Sequence, residues 1–456
     1  MIKDLFRKTV FGLLAIMVFI PASKAQDTET LTLKNALNYA LANYTDARKA
    51  KLDITNSEYQ IDEVRARALP QISGSGGLNY NPLLQMSALP GELNPTNPGQ
   101  TLLVAFGQKW NANVGVSLTQ NLFDQSVFVG LKAAKTTREF YQLNAQLTEE
   151  QVLENVATAY YQVLVQRQQI ATTDSNIYTT QQVRSVILGQ FENGLGKKID
   201  VDRLDVKLSN LQSQRQQQLN AVAQYENQLK FFIGMPIGTA ITIPDMENKN
   251  IDVFAIDLPD SIATNTRTNV LVLEKQQDLL KQKRQSILAE YYPSLSLTGN
   301  YSYQGLSNDF PIFKGASQGA NWFDVSTIGL NLKVPIFNGN GTKARTKQVD
   351  IELSKLKEDM YATTQNLNLD YDNAKTQIKN SIIILNNQQK NIELAQKVMD
   401  DTQNNYQQGL ATLTDLLDAQ TALYDAQNTY TVSLLDYRLA EVKLIKSKGQ
   451  LRTLLN

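Results

Sequence analysis

The chain has 456 residues, 42% of them hydrophobic and 19% charged, and its 44 basic side chains balance 44 acidic ones. It contains no cysteine and no histidine, which excludes disulfides, thiolate metal sites, a lipid-bearing N-terminal cysteine, Ser-His-Asp and Cys-His nucleophile systems and nearly all zinc chemistry. No cofactor is expected, and a chain so close to neutral is a poor match for nucleic acid, which demands concentrated basic charge.

Residues 1–25 carry Lys3, Arg7 and Lys8 ahead of an apolar run, then small residues around Ser23 and Ala25. This is the pattern of a secretory signal peptide cut after Ala25. The run of about 14 residues falls short of the roughly 20 that a spanning helix needs. Its removal leaves about 40 positive against 43 negative side chains. No later apolar run reaches spanning length, so the mature chain is either soluble and extended or inserted in a membrane by strands.

The rest of the chain is duplicated, with a first repeat over 26–231, a linker over 232–262 and a second repeat over 263–456. Pro70 aligns with Pro293, Phe123 with Phe337, Gly194 with Gly409 and Asp200 with Asp415, at offsets of 223, 214, 215 and 215. The 9-residue change falls between the proline and the phenylalanine, where the first repeat carries the longer loop.

In the first repeat a weak strand is expected over 71–80 and a clearer one over 111–119, where Ala112, Val114, Val116 and Leu118 alternate with Asn111, Asn113, Ser117 and Thr119. Between them, 81–109 reads as an irregular polar loop with prolines at 82, 90, 95 and 98. A helix of about 65 residues is expected over 125–191, close to 100 Å at 1.5 Å per residue. NGLGKKID then breaks it, with Gly194 able to end a helix in the left-handed conformation and Asp200 suited to the next helix start.

The second repeat follows the same plan. Strands are expected over 294–303 and 327–336 around an irregular loop 304–322, then a helix over 342–407 and the break QQGLATLTDLLDAQ. Beyond it Leu416, Leu423, Tyr430 and Tyr437 recur every seventh residue, with Ala419, Ala426, Ser433 and Ala440 three residues on, so that small seam residues let neighbouring helices approach. An isolated helical hairpin is the plainer alternative. Four alternating strands of about ten residues have the length of transmembrane barrel strands, although a soluble sheet with one wet face shares the pattern. Tyr80, Trp110, Tyr303 and Trp322 at the loop-side ends, and Phe123, Tyr292 and Phe337 at the other ends, favour two membrane-interface girdles.

The duplication, NGLGKKID and QQGLATLTDLLDAQTALYDAQ at the tips, and ALPQIS and YYPSLSL before the strands resemble the TolC-like outer-membrane factor family over essentially the whole mature chain. The resemblance implies a mainly α protomer with a transmembrane β part. Three such protomers make a homotrimer, their four strands each forming one 12-stranded barrel continuous with a long α-helical periplasmic tunnel. It implies a Gram-negative outer-membrane location among outer-membrane lipid, and work as the exit duct of a tripartite efflux pump with a periplasmic adaptor (membrane fusion) protein and an inner-membrane transporter. It also places Asp415 and Asp418 at the ring that constricts the periplasmic entrance, and makes Asp200 and Tyr406 contacts between neighbouring hairpins. Gly194, Leu195, Gly409 and Leu410 are the tip positions where an adaptor docks. Ala411 departs from relatives that carry a gate-locking arginine, with Lys197 or Lys198 as substitutes. From the residues alone, Asp415 is equally a plain helix-start carboxylate, and Asp202 and Asp205 read as a solvated face. The rival functions are the outer-membrane component of type I protein secretion and an exported trimeric coiled-coil adhesin or scaffold. Nothing beyond the retained loop 81–109 suggests an enzyme.

Overall fold

The computed structural model describes residues 30–93, 95–97, 99–244 and 258–455. The signal segment 1–25 and the linker stretch 245–257 lie outside the described residues. The element order runs α1 (Leu33–Asn43), α2 (Thr45–Ala66), β1 (Gln71–Tyr80), β2 (Met86–Leu89), β3 (Leu102–Ala105), β4 (Trp110–Phe123), α3 (Gln125–Glu192) and α4 (Lys198–Ile233). Then follow α5 (Thr268–Ala289), β5 (Ser294–Ser307), β6 (Ala320–Lys333), α6 (Gly341–Gln407) and α7 (Leu413–Ser447). Helix, two long strands, a very long helix and a shorter returning helix thus occur twice.

The chain groups into two compact units, and each draws on both sequence repeats. The described residues of 49–148 and 261–369 make the β-bearing unit. Its main sheet is antiparallel, in the order β1-β4-β5-β6. Register puts Ile72, Leu118, Gly299 and Ile328 in one cross-strand row and Ser73, Ser117, Asn300 and Thr327 in the next. Successive rows point to opposite faces, so one face is apolar and the other carries hydroxyls and amides. Ser73 and Ser117 hydroxyls meet at 2.7 Å on the polar face. The apolar face is left uncovered in a single chain, with Val114 64% and Ile328 85% exposed. Four strands leave β1 and β6 each with one sheet neighbour among the described residues.

Three expectations change here. The polar loop 81–109 holds a short hairpin, with β2 paired to β3 from Met86↔Ala105 to Leu89↔Leu102. The loop expected over 304–322 shrinks, because β5 runs on to Ser307 and β6 begins at Ala320. The strand expected over 327–336 stops at Lys333, which leaves Val334, Ile336 and Phe337 beyond it. The reason for the missed start of β6 is chemical: Phe323 and Val325 fall on the polar face and Asp324 on the apolar one, which breaks the alternation. Tyr301 donates its hydroxyl to Asp324 at 3.0 Å and so makes that carboxylate tolerable there. At the loop-side end Tyr80 packs on Trp110 at 4.6 Å and Tyr303 stacks on Trp322 at 5.0 Å, which puts aromatics together as an interfacial girdle requires.

The described residues of 1–48, 149–260 and 370–456 make the helical unit. Its core joins Ala36, Leu37 and Ala40 of α1 to Leu153, Val156 and Val163 of α3, Leu229 and Ile233 of α4 and Val442 of α7. Fully buried leucines of this kind contribute about 1.5–3 kcal/mol each. Gly234 ends α4 at φ +73°, and a Cβ there would lie 2.7 Å from the Asn43 carbonyl, so glycine is needed both for the turn and for the close approach of α1.

Helices α3 and α4 form an antiparallel hairpin whose register is marked by three arginine–carboxylate pairs. Arg184 pairs with Asp205, Arg215 with Asp174 and Arg167 with Glu226. Asp205 is therefore half of a cross-helix pair and not merely part of a solvated face; the Arg184 hydrogen bond holds its carboxyl below the ordinary value. Along α7 the expected seam is buried at Leu416, Ala419, Ser433, Tyr437 and Ala440.

The two-faced sheet generates a direct test. Placing a lysine at Ile328, mid-strand on the apolar face, is expected to cost about 2–4 kcal/mol in a bilayer, whereas Thr327→Lys on the opposite face should be near neutral. Folding titrations into lipid vesicles, followed by the loss of heat-modifiable mobility on gels, read the difference.

Candidate functional site

The tips of the two hairpins share one backbone solution. Gly194 has φ +76° and Gly409 φ +75°. Gly194 N–H donates to the Phe191 carbonyl and Leu195 N–H to the Gln190 carbonyl; Gly409 and Leu410 donate to Tyr406 and Asn405 in the same way. These are paired Schellman motifs, in which the residue after the glycine is commonly apolar and packs back on its helix. Leu195 and Leu410 do not pack back: both are exposed, at 83% and 74%.

Directly behind the turns the hairpins are joined by an apolar cluster of Ile187, Val201, Leu204, Met399, Leu413, Leu416 and Ala419, with Tyr406 packed against it. Burial, followed by the negative charge of Asp200, raises the Tyr406 hydroxyl above its ordinary pKa, so the two expected hairpin-contact residues lie near each other within one chain. Arg203, one turn along α4, sits 3.8 Å from Asp200 and donates to the Thr414 hydroxyl of α7 at 3.3 Å. Within one chain, among the described residues, the cation that reaches Asp200 is Arg203.

Asp200 and Asp415 both stand third in their helices, and their surroundings divide them. Helix α7 is capped by Thr412, whose hydroxyl accepts from Asp415 N–H at 3.2 Å while the Asp415 carboxylate accepts from Thr412 N–H at 2.8 Å. This reciprocal box holds Asp415 against its own helix start and pulls its carboxyl below the ordinary value, chiefly through the Thr412 hydroxyl. Helix α4 is preceded by Lys197, which makes no side-chain cap, and Asp200 turns toward Arg203 instead. Asp418 is exposed and its charge acts on Lys207, whose ammonium burial drives below its ordinary pKa.

Two turns behind the tip, Gln420 links three helices. Its amide NH₂ donates to Asn176 and to Thr180 of α3, both at 2.8 Å, and its oxygen accepts from Lys207 of α4 at 3.2 Å. A buried amide with all three of these contacts made explains part of the glutamine and asparagine content of the long helices. Arg203, Lys207 and Gln420 had no separate signal in the sequence, since a basic or amide residue on a long helix is ordinarily solvated.

Residues 36–235 and 261–450 match the family model described as outer membrane efflux protein. The chain belongs to the outer membrane efflux protein family. It is 22% identical to the outer membrane protein TolC of Salmonella enteritidis over 421 residues, covering 89% of this chain and 79% of the relative. It is 24% identical to the probable efflux pump outer membrane protein TtgC of Pseudomonas putida, covering 91% and 82%. The CmeC outer membrane channel of Campylobacter jejuni superposes with a TM-score of 0.70 at 16% identity, over 92% of this chain and 85% of that one. The fold is that of TolC-like channels, mainly α with a transmembrane β part, and the protein is an efflux channel of the Gram-negative outer membrane.

The capping box makes the second tip pH-sensitive. Because the folded Asp415 value lies below the ordinary 3.8, its stabilisation is present above 3.8 and is lost as pH falls through the lower folded value. Hydrogen exchange at the first-turn amides of α7 should accelerate over that window, and Thr412→Ala, which costs a helix start about 1 kcal/mol, should remove the pH dependence.

Proposed function

We propose that three copies of this efflux channel assemble as the exit duct of a tripartite pump, expelling small molecules delivered by an inner-membrane transporter through a periplasmic adaptor. The observation that carries this reading is the four-stranded sheet with an uncovered apolar face and two edges that lack a second neighbour among the described residues. An open edge is not tolerated in lipid. Pairing β6 of one copy with β1 of the next closes twelve strands, with the apolar rows toward outer-membrane lipid and the amide and hydroxyl rows toward the lumen. The duplication into 26–231 and 263–456, joined by 232–262, supplies each copy with two strand pairs and two hairpins. The efflux-pump name of TtgC supports small molecules as cargo.

In this reading the tips are the periplasmic entrance. Leu195 and Leu410, each projecting beyond its Schellman turn, offer the adaptor paired apolar contacts beside Gly194 and Gly409. Asp415 and Asp418 of three copies gather six carboxylates near one axis, where they attract cations and repel one another. Closure then depends on other contacts, and Arg203, bonded to Asp200 and Thr414 beside Tyr406, takes the place that Ala411 leaves empty.

Two experiments separate docking from gating. Gly194→Val and Gly409→Val force a β-branched residue into the left-handed region, and should abolish drug resistance while the channel remains in the outer membrane in normal amount. Unchanged resistance in both variants contradicts tip docking. In planar bilayers, Asp415→Ala with Asp418→Ala should weaken cation selectivity and block by multivalent cations, and Arg203→Ala should raise resting conductance. Wild-type selectivity in the double variant moves the constriction elsewhere.

A further inference from the structure

We propose that at the outer mouth the β2–β3 hairpin of one copy covers Phe313 of the adjacent copy. The inference rests on the trimer proposed above and concerns a surface outside the barrel.

Phe313 lies in the loop between β5 and β6 at φ +68° and is 99% exposed. A bulky side chain in the left-handed region is strained, and one that also faces water has no contact in its own chain to offset the strain. The loop holds it there firmly. Trp322, stacked on Tyr303, donates its indole N–H to the Lys314 carbonyl at 3.0 Å, and Lys314 N–H closes a turn on Pro311 at 3.1 Å. Among the described residues, the chain's own long loop approaches the near side, through Lys109 N–H to Asn308 at 3.4 Å and Trp110 against Phe310 at 5.3 Å.

The hairpin has the complementary defect. Met86 pairs with Ala105 and Ala88 with Leu103, so these four share one face, and that face is exposed. Leu89, Leu102 and Val104 on the other face are half-buried. An apolar hairpin face in water is an association surface.

Topology brings the two surfaces together. The hairpin continues from Tyr80 at the loop-side end of edge strand β1, and the Phe313 loop runs into Ala320 at the loop-side end of the opposite edge strand β6. When β6 of one copy pairs with β1 of the next, those ends stand one strand spacing apart, about 4.8 Å. Both surfaces lie on the loop side of the girdle formed by Tyr80, Trp110, Tyr303 and Trp322. That position continues the proposed β6–β1 seam, and so the neighbouring chain is the occupant the geometry favours.

A chain without cysteine makes the test clean. The Leu103→Cys/Phe313→Cys double variant, treated with a short bis-maleimide in intact cells, should yield a covalent three-chain species on denaturing gels, and neither single variant should. The Asn79→Cys/Asn321→Cys pair, at exposed positions of one cross-strand row at the loop-side ends of the two edge strands, probes the strand edges alone. Edge cross-linking without loop cross-linking overturns this inference and leaves the trimer standing, whereas absence of both overturns the trimer itself. A product confined to single chains also overturns it, as does strong quenching of Phe313→Trp fluorescence by brominated lipid. Phe313→Gly, which relieves the strain, should lower the temperature at which the assembly dissociates in detergent; an unchanged or higher temperature contradicts the contact.

Discussion

A strand edge in hydrocarbon has no water to satisfy its N–H and C=O groups, and each unsatisfied group costs several kcal/mol. The β-bearing unit is built on that constraint. One chain contributes four strands with a polar and an apolar face, too few to close on themselves. The polar rows of serine, threonine and asparagine are those of a water-filled lumen, and the apolar rows are those of a lipid-facing wall. Neither face is explained by the chain alone, since both stay exposed in it.

The helical hairpins solve a different problem, that of holding long helices in register without a globular core. Among the described residues, one apolar cluster is built on α1 and a smaller one lies behind the tips. Register is also marked by directional contacts: the arginine–carboxylate pairs of α3 with α4 and the Gln420 node that ties α3 and α4 to α7. Such contacts contribute little net stability, but at the Gln420 node a slip leaves buried donors and acceptors unmatched.

Much of this was legible in the sequence. Period-2 alternation located the four long strands because one face meets lipid and the other water, and the two glycine breaks located the tips because only glycine relaxes at φ near +75°. The long helices ended within a residue or two of their expected limits. The short β2–β3 hairpin was hidden, since MSAL and LLVA are too brief to show a period. The upper half of β6 was hidden by Asp324, whose place on the apolar face depends on Tyr301, a residue of another strand. At the tips, two aspartates at equivalent positions looked interchangeable. What separates them is the preceding cap residue, Thr412 in one case and Lys197 in the other, and only the fold shows Arg203, one turn from Asp200, reaching Thr414 of α7.

The central claim is that closure of the sheet requires three chains. Analytical ultracentrifugation of the detergent-solubilised protein, with bound detergent matched out by solvent density, measures the protein mass of the assembly without reference to any tip or loop contact. The account predicts a single species of about three times the 51.0 kDa chain mass, less the signal segment. A monodisperse species of one or two chains that remains folded in the membrane would contradict it, because the edges of β1 and β6 would then have to be satisfied in some other way.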